Sequence, residues 1–355
     1  MELDRRAFMG ASALAVAGAS AAGMAKQGKK FRRIATEEAF TTPEQYSAMM
    51  AIADNSNWDD LDLGLWRGRP SQGGMNHRLA LEGDRLAIMD EHGVDMHVLS
   101  LTSPGVQMFA PDVANGVAQT ANDRLAEHIR KYPGRFAGLG AFAPQDPANA
   151  VKEMERAINT LKLNGFISNS HTNGEYLDNP KYWPILEAAE ALDAPIYIHP
   201  RSPSRIMAPA YRDYGLELAI FGYQAEVSLH AMRLILSGVL DRFPKLQIVL
   251  GHMGENMPFH LWRMDQRHRP ERAAVKLKPS EYFLRNFSIT TSGMQDTLAL
   301  DFSLKKLGPD RVMWAIDYPY EQTGPAVEWM DKATIADADK LKVYSSNAER
   351  VFKIK

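Results

Sequence analysis

A (β/α)8 TIM barrel with a long loop insertion after its first strand is the fold class this sequence predicts. Three observations point to it. Short apolar or β-branched runs alternate with helical patterns. The alternation occurs eight times between residue 31 and the C-terminus, which implies parallel strands joined by right-handed crossovers. Carboxylate and imidazole groups gather at the C-terminal tips of the runs, the rim where such barrels carry their chemistry. An open doubly wound sheet competes with this architecture, but no G-x-G-x-x-G follows the first strand.

The elements follow in order. The first strand is expected at residues 33–40. Residues 41–78 are too long for an ordinary strand-to-helix loop. With Trp58, Trp66, Arg67 and Arg69, they read as an excursion over the barrel mouth. Within them, Asp60-x-Asp62-x-Gly64 has part of a calcium-loop pattern but no Glu at the required spacing, and reads as a solvated acidic turn. Further strands are expected at 95–102, 135–142, 165–171, 194–200, 246–254, 287–293 and 311–319. The segment 112–131 carries Val113, Val117, Ala121, Leu125 and Ile129, an i+4 apolar stripe. Similar helical patterns occupy 149–163, 180–192, 228–243 and 295–307. Pro133-Gly134 and Gly308-Pro309 punctuate helix ends.

Residues 1–26 read as an address. Asp4-Arg5-Arg6-Ala7-Phe8-Met9 sets two arginines before an apolar residue. A mild run of small and apolar residues follows, too short and weakly hydrophobic for a stable anchor. This is the pattern of a twin-arginine export signal, cleaved between Ala21 and Lys26. The expected location is therefore periplasmic, and residues 31–355 form the barrel domain. Such export carries folded proteins, which suits an enzyme that acquires its metal before leaving the cytoplasm. The chain has 355 residues, 41 Lys+Arg, 43 Asp+Glu, a net charge of −2 and no Cys. It offers no global basic field for nucleic acid, no disulfide, no thiolate metal site and no Cys nucleophile. No later run reaches membrane-spanning length, so no membrane partner is expected after cleavage.

The strand tips give the candidate site. They carry Glu37 and Glu38, His171, His199, His252 with Glu255, and Asp317. A lone carboxylate pushed by an apolar strand into a dry mouth is costly unless its charge is paired. Glu37, His199 and Asp317 can share one divalent cation, and one imidazole with two carboxylates suits Mn2+ or Zn2+. Alternation points Glu38 to the other face. His171 is either a ligand or a wall of the substrate site. Glu255 lies three residues beyond His252 and can hold its tautomer. Arg263, eleven residues after His252, falls three turns along the same helix and can share its face; a guanidinium there invites an anionic substrate. The other histidines read as structural.

Several segments resemble the amidohydrolase superfamily: Ile34-Ala35-Thr36-Glu37-Glu38-Ala39-Phe40, Leu101-Thr102-Ser103-Pro104-Gly105-Val106-Gln107, Ala143-Pro144-Gln145-Asp146-Pro147, Tyr197-Ile198-His199-Pro200, Gly251-His252-Met253-Gly254-Glu255 and Met313-Trp314-Ala315-Ile316-Asp317-Tyr318-Pro319-Tyr320. They are most similar to its non-oxidative decarboxylase branch, that of the 5-carboxyvanillate and γ-resorcylate decarboxylases. The resemblance implies that Glu37, His199 and Asp317 are metal ligands, that His252 and Glu255 flank the substrate, and that Arg263 contacts a substrate carboxylate or ring substituent. It also implies a homodimer or larger assembly. Ala39 stands where many relatives carry a second strand-1 histidine, which leaves a single-metal site. The expected reaction is metal-dependent decarboxylation of an ortho-hydroxylated aromatic carboxylic acid, with Asp317, assisted by His252, as the proton donor. The alternative is metal-dependent hydrolysis of an ester, lactone or amide. A non-catalytic periplasmic binder is disfavoured, because ligands sit intact on three separate strands.

Overall fold

The computed structural model describes residues 31–54, 62–68 and 74–355. The expected signal at 1–26 lies outside the described residues, as do Trp58, Asp60 and Arg69. All eight expected strands are present: β1 (Ile34–Phe40), β2 (Met96–Leu101), β3 (Phe136–Ala141), β4 (Gly165–Asn169), β5 (Ile196–His199), β6 (Ile248–Leu250), β7 (Phe287–Thr290) and β8 (Val312–Met313). Each pairs in parallel with the next. The strands are covered on both faces, which is why they read as apolar runs rather than alternating ones. Val98, Leu99, Phe166, Ile196, Ile198, Leu250 and Ile289 are all fully buried.

Helices pack around this sheet. Those preceding β2 are α1 (Pro43–Ala53), α2 (Asp62–Gly68), α3 (Met75–Leu79) and α4 (Arg85–His92). Next come α5 (Pro111–Lys131), α6 (Pro147–Asn159), α7 (Trp183–Ala191), α8 (Gly222–Leu236), α9 (Val239–Arg242) and α10 (Met257–Arg267). The last are α11 (Pro279–Asn286), α12 (Thr297–Leu307), α13 (Thr323–Lys332), α14 (Asp337–Leu341) and α15 (Asn347–Val351). Four of them, α1, α5, α6 and α11, begin on a proline, where the fixed φ suits the first turn and no amide hydrogen is needed. Thr42 and Asp146 cap α1 and α6 by accepting from the amides of Gln45 and Asn149.

Several expectations change in detail. The excursion over 41–78 is helical in its described parts, with Leu63 and Trp66 of α2 fully buried. The helix expected at 228–243 begins earlier and breaks at Gly238, whose φ of 81° ends α8 and starts α9. In α5, Val117, Ala121 and Leu125 are buried but Val113 is 42% exposed. An i+4 row drifts by about 40° per step around a helix of 3.6 residues per turn, so Ala114 and Ala118 join the buried face instead.

The seam between β8 and β1 departs most from a regular ladder. β8 proper spans two residues, not 311–319, because the backbone turns at Asp317 (φ 79°). Single bonds close the seam: Thr36 N–H to Trp314 O at 3.1 Å, Asp317 N–H to Glu37 O at 3.1 Å, and Ala39 N–H to Tyr318 O at 2.8 Å. β1 also carries an extra residue against β2, since Ala35 faces His97 and Glu38 faces Leu99. Such a bulge re-aims the side chains beside it, here Glu37 and Glu38.

Candidate active site

Glu37 is the centre of the rim. Its Oε2 accepts from the hydroxyls of Tyr197 on β5, Thr290 on β7 (2.9 Å) and Ser292 just beyond β7. Its Oε1 is buried and has no hydrogen-bond partner. Burial raises the pKa of this carboxyl, but the neighbouring His252 and His199 and the Ser292 and Tyr197 hydroxyls outweigh that and hold it below its ordinary value. Gly251 makes room for the group: a Cβ there would meet Oε2 at 2.6 Å.

Two imidazoles face the free oxygen. His199, at the tip of β5, donates from Nδ1 to the carbonyl of Pro200 at 2.8 Å. That leaves its Nε2 lone pair 3.5 Å from Glu37 Oε1. His252 donates from Nδ1 to Glu255 at 2.9 Å. Its Nε2 lies 3.7 Å from Glu37 Oε1 and 3.5 Å from Asp317 Oδ2. Glu255 thus does what its spacing predicted, though through a tight turn and not a helix. His252, Met253 and Glu255 all have positive φ (49°, 57° and 56°), a concentration of backbone strain usual at functional sites.

One ligand atom each from Glu37, His252 and Asp317 falls within 4.8 Å of the others. His199 joins through Glu37, so the geometry brings four donors together where three were expected. Burial pushes the Asp317 carboxyl up, although the bond from His252 pulls the other way. Burial works against charge on His252, yet Glu37, Glu255 and Asp317 together hold it well above its ordinary pKa. Three carboxylates around two imidazoles call for a cation. The unsatisfied Oε1 of Glu37, the Nε2 of His199 and the Asp317 carboxylate are the groups that would hold one.

Two expected site residues are not brought to this cluster. His171 is buried, and both ring nitrogens are engaged by backbone: Gly174 N–H donates to Nδ1 at 3.1 Å, and Nε2 bonds Ser202 O at 3.1 Å. Burial, with the charge of Arg201, drives its pKa down to about 2. It braces loops and has no nitrogen left for a metal or substrate. Arg263 is exposed and lines an outer groove with Met232, Leu236, His260 and Met264. Counting three helical turns from His252 fails because α10 begins only at Met257, after the chain has turned through Met253 and Glu255.

Other residues emerge that spacing did not reveal. Asp62 is no solvated turn; it is buried and accepts from Arg201 Nε at 2.9 Å and Ser202 N–H at 2.9 Å, tying α2 to the loop after β5. Thr290 and Ser292, two apart at a strand tip, were the available signal for the hydroxyl cage around Glu37.

The chain matches the amidohydrolase family model over residues 59–354. γ-Resorcylate decarboxylase from Rhodococcus jostii (strain RHA1) is 37% identical over 337 residues, covering 91% of this chain and 98% of that one. The crystal structure of 5-carboxyvanillate decarboxylase from Sphingomonas paucimobilis is 50% identical, with a TM-score of 0.89 over 92% of this chain and 100% of that one. The 5-carboxyvanillate decarboxylase of Novosphingobium aromaticivorans, complexed with manganese and 4-hydroxy-3-methoxy-5-nitrobenzoic acid, is 38% identical, with a TM-score of 0.87 over 91% and 96% of the two chains. An eight-stranded barrel with carboxylates and imidazoles converging on one rim, and likeness along nearly the whole domain, place this protein in the amidohydrolase family, within its non-oxidative decarboxylase branch.

Proposed function

We propose that the protein is a metal-dependent carboxy-lyase that removes the carboxylate of an ortho-hydroxylated aromatic acid without oxidation. The observation that carries this reading is the buried, unpartnered Oε1 of Glu37, faced by the Nε2 atoms of His199 and His252 with Asp317 beside them. Glu37, His199 and Asp317 hold one divalent ion per chain. The mixed oxygen and nitrogen donors suit Mn2+ or Zn2+, and the manganese in a related decarboxylase supports Mn2+. The ion, when bound, supplies a fixed positive charge that orients the substrate carboxylate and its ortho oxygen.

The chain's own groups do the rest. Asp317 delivers a proton to the ring carbon that bears the carboxylate. His252, 3.5 Å from Asp317 Oδ2 and locked by Glu255, assists that transfer. The new C–H bond interrupts aromaticity. The bond to the carboxylate then breaks, its electron pair restores the ring, and CO2 leaves.

The test is product analysis in D2O with Mn2+-loaded protein and a panel of ortho-hydroxybenzoates. One deuterium on the carbon that lost CO2 is expected. Hydrolysis of esters, lactones or amides with no ring deuteration would establish the alternative. Export to the periplasm through Arg5-Arg6 belongs to the same proposal, as does assembly into a homodimer or larger. The exposed Phe259 (74%), Trp262 (68%) and Leu298 (78%) support an assembly, because a second copy would cover them.

A further inference from the structure

Glu38 is fully buried, and its hydrogen bonds go to backbone amides and not to the side chains at the rim. Its two carboxylate oxygens are both in use. Oε1 accepts from Ile316 N–H at 3.0 Å, and Oε2 from Tyr318 N–H at 2.8 Å. The amide between them, Asp317 N–H, donates to the backbone oxygen of Glu37 at 3.1 Å. Three successive amides of the last strand's tip are thus claimed by two successive residues of the first. In a regular parallel strand successive amides point to opposite neighbours. Aiming three at one neighbour requires the backbone to turn, and Asp317 does so at φ 79°. A non-glycine residue rarely adopts that conformation, because its Cβ crowds the following carbonyl, so something must hold it.

Glu38 is placed to do the holding, and Arg85 of α4 reinforces it. The Arg85 guanidinium donates to Ala39 O at 2.6 Å, next to Glu38, and lies 4.7 Å over the ring of Tyr318, next to Asp317. One buried arginine therefore grips the residue after Glu38 and the residue after Asp317. We propose that Glu38 is a positioning residue whose paired grip on the Ile316 and Tyr318 amides sets the direction in which Asp317 presents its carboxylate to the metal and the substrate. This rests on the reading of Asp317 as ligand and proton donor.

The test is a double-mutant cycle on the intact chain with Mn2+ as probe. Free Mn2+ is titrated by electron paramagnetic resonance, and turnover is measured per folded molecule. In Glu38→Gln one amide hydrogen would face the new NH2 group. Mn2+ affinity should fall about 10- to 100-fold, the usual effect of losing a residue that orients a ligand, and kcat should fall while KM stays within about two-fold. In the Asp317→Asn background the same change should weaken Mn2+ binding by less than about three-fold. Equal losses in both backgrounds, or a lower melting temperature with unchanged Mn2+ affinity and kcat, would show that Glu38 only holds the barrel shut and overturn the proposal. If Asp317→Asn binds Mn2+ as tightly as the parent, the reading of Asp317 as ligand fails by itself. Turnover then decides: positioning is upheld if Glu38→Gln lowers kcat in the parent but not in Asp317→Asn, and overturned if it lowers both alike. Should Glu38→Gln not fold, Glu38→Asp enters the same cycle, since it keeps both oxygens and draws them back by one methylene.

Discussion

The two oxygens of Glu37 have different neighbours, and the difference can be tested at a residue that makes no bond to it. Oε2 sits in a cage of hydroxyls and has nowhere to go, so a methyl at Gly251, 2.6 Å from it, must displace the carboxylate. Gly251→Ala is therefore expected to lose at least ten-fold in metal affinity; metal analysis after dialysis, with the melting temperature as control, checks it. Glu226 offers a second test. It accepts from Ser170 (3.0 Å) and Tyr176 (3.0 Å), yet burial outweighs those bonds and pushes its carboxyl up to about 7 from 4.5. The folded chain keeps this proton while the unfolded chain releases it from about pH 4.5 upward. Stability is then lost as pH rises through that window, by the order of 3 kcal/mol, and stays level above about pH 7. Glu226→Gln cannot titrate. Its melting temperature should rise relative to the parent between pH 5 and pH 8; a constant difference would contradict the assignment. That Glu37, His199, His252, Glu255 and Asp317 converge on one rim was legible because polar residues within or just beyond apolar runs are conspicuous. His171 looked the same in sequence, and only the loops folded against both its nitrogens distinguish it.

At the scale of elements, strands and long helices were legible and their ends were not. The 228–243 segment kept its apolar period across Gly238, so the break shows only in the backbone. Arg263 was misplaced for a related reason, since four successive residues with positive φ, His252 to Glu255, precede α10 and reset its face. Contacts between elements lay further from view. Asn122 of α5 bonds both the amide and the carbonyl of Ala141 on β3 (2.7 and 2.8 Å) and Glu153 of α6 (2.6 Å). It joins three elements inside the core. Asn122→Ala would strand those groups without water, and each costs about 1–3 kcal/mol when left unpaired. Chemical denaturation should show a loss of about 2 kcal/mol or more, with KM and metal content of the remaining folded protein unchanged.

For the whole molecule, the repeat of strand and helix sufficed to predict the barrel, because eight such units have few ways to bury their strands. Replacing Arg5 and Arg6 by lysine should retain the full-length chain in the cytoplasm with its activity intact; mature protein still found in the periplasm on fractionation would refute the signal. Trp262→Glu should give a monomer in sedimentation if the apolar face of α10 is covered by a second copy.

The seam between β1 and β8 has a consequence for how the molecule comes into being. The Glu38–Tyr318 bond spans 280 positions of sequence, and Asp317 stands at the far end of the chain from Glu37. During synthesis the ribosome must deliver nearly the entire chain before the first strand meets its last neighbour. Until then the donors at the rim belong to an open sheet with no common focus. The rim that brings Glu37 and Asp317 together is therefore completed only when the last strand meets the first.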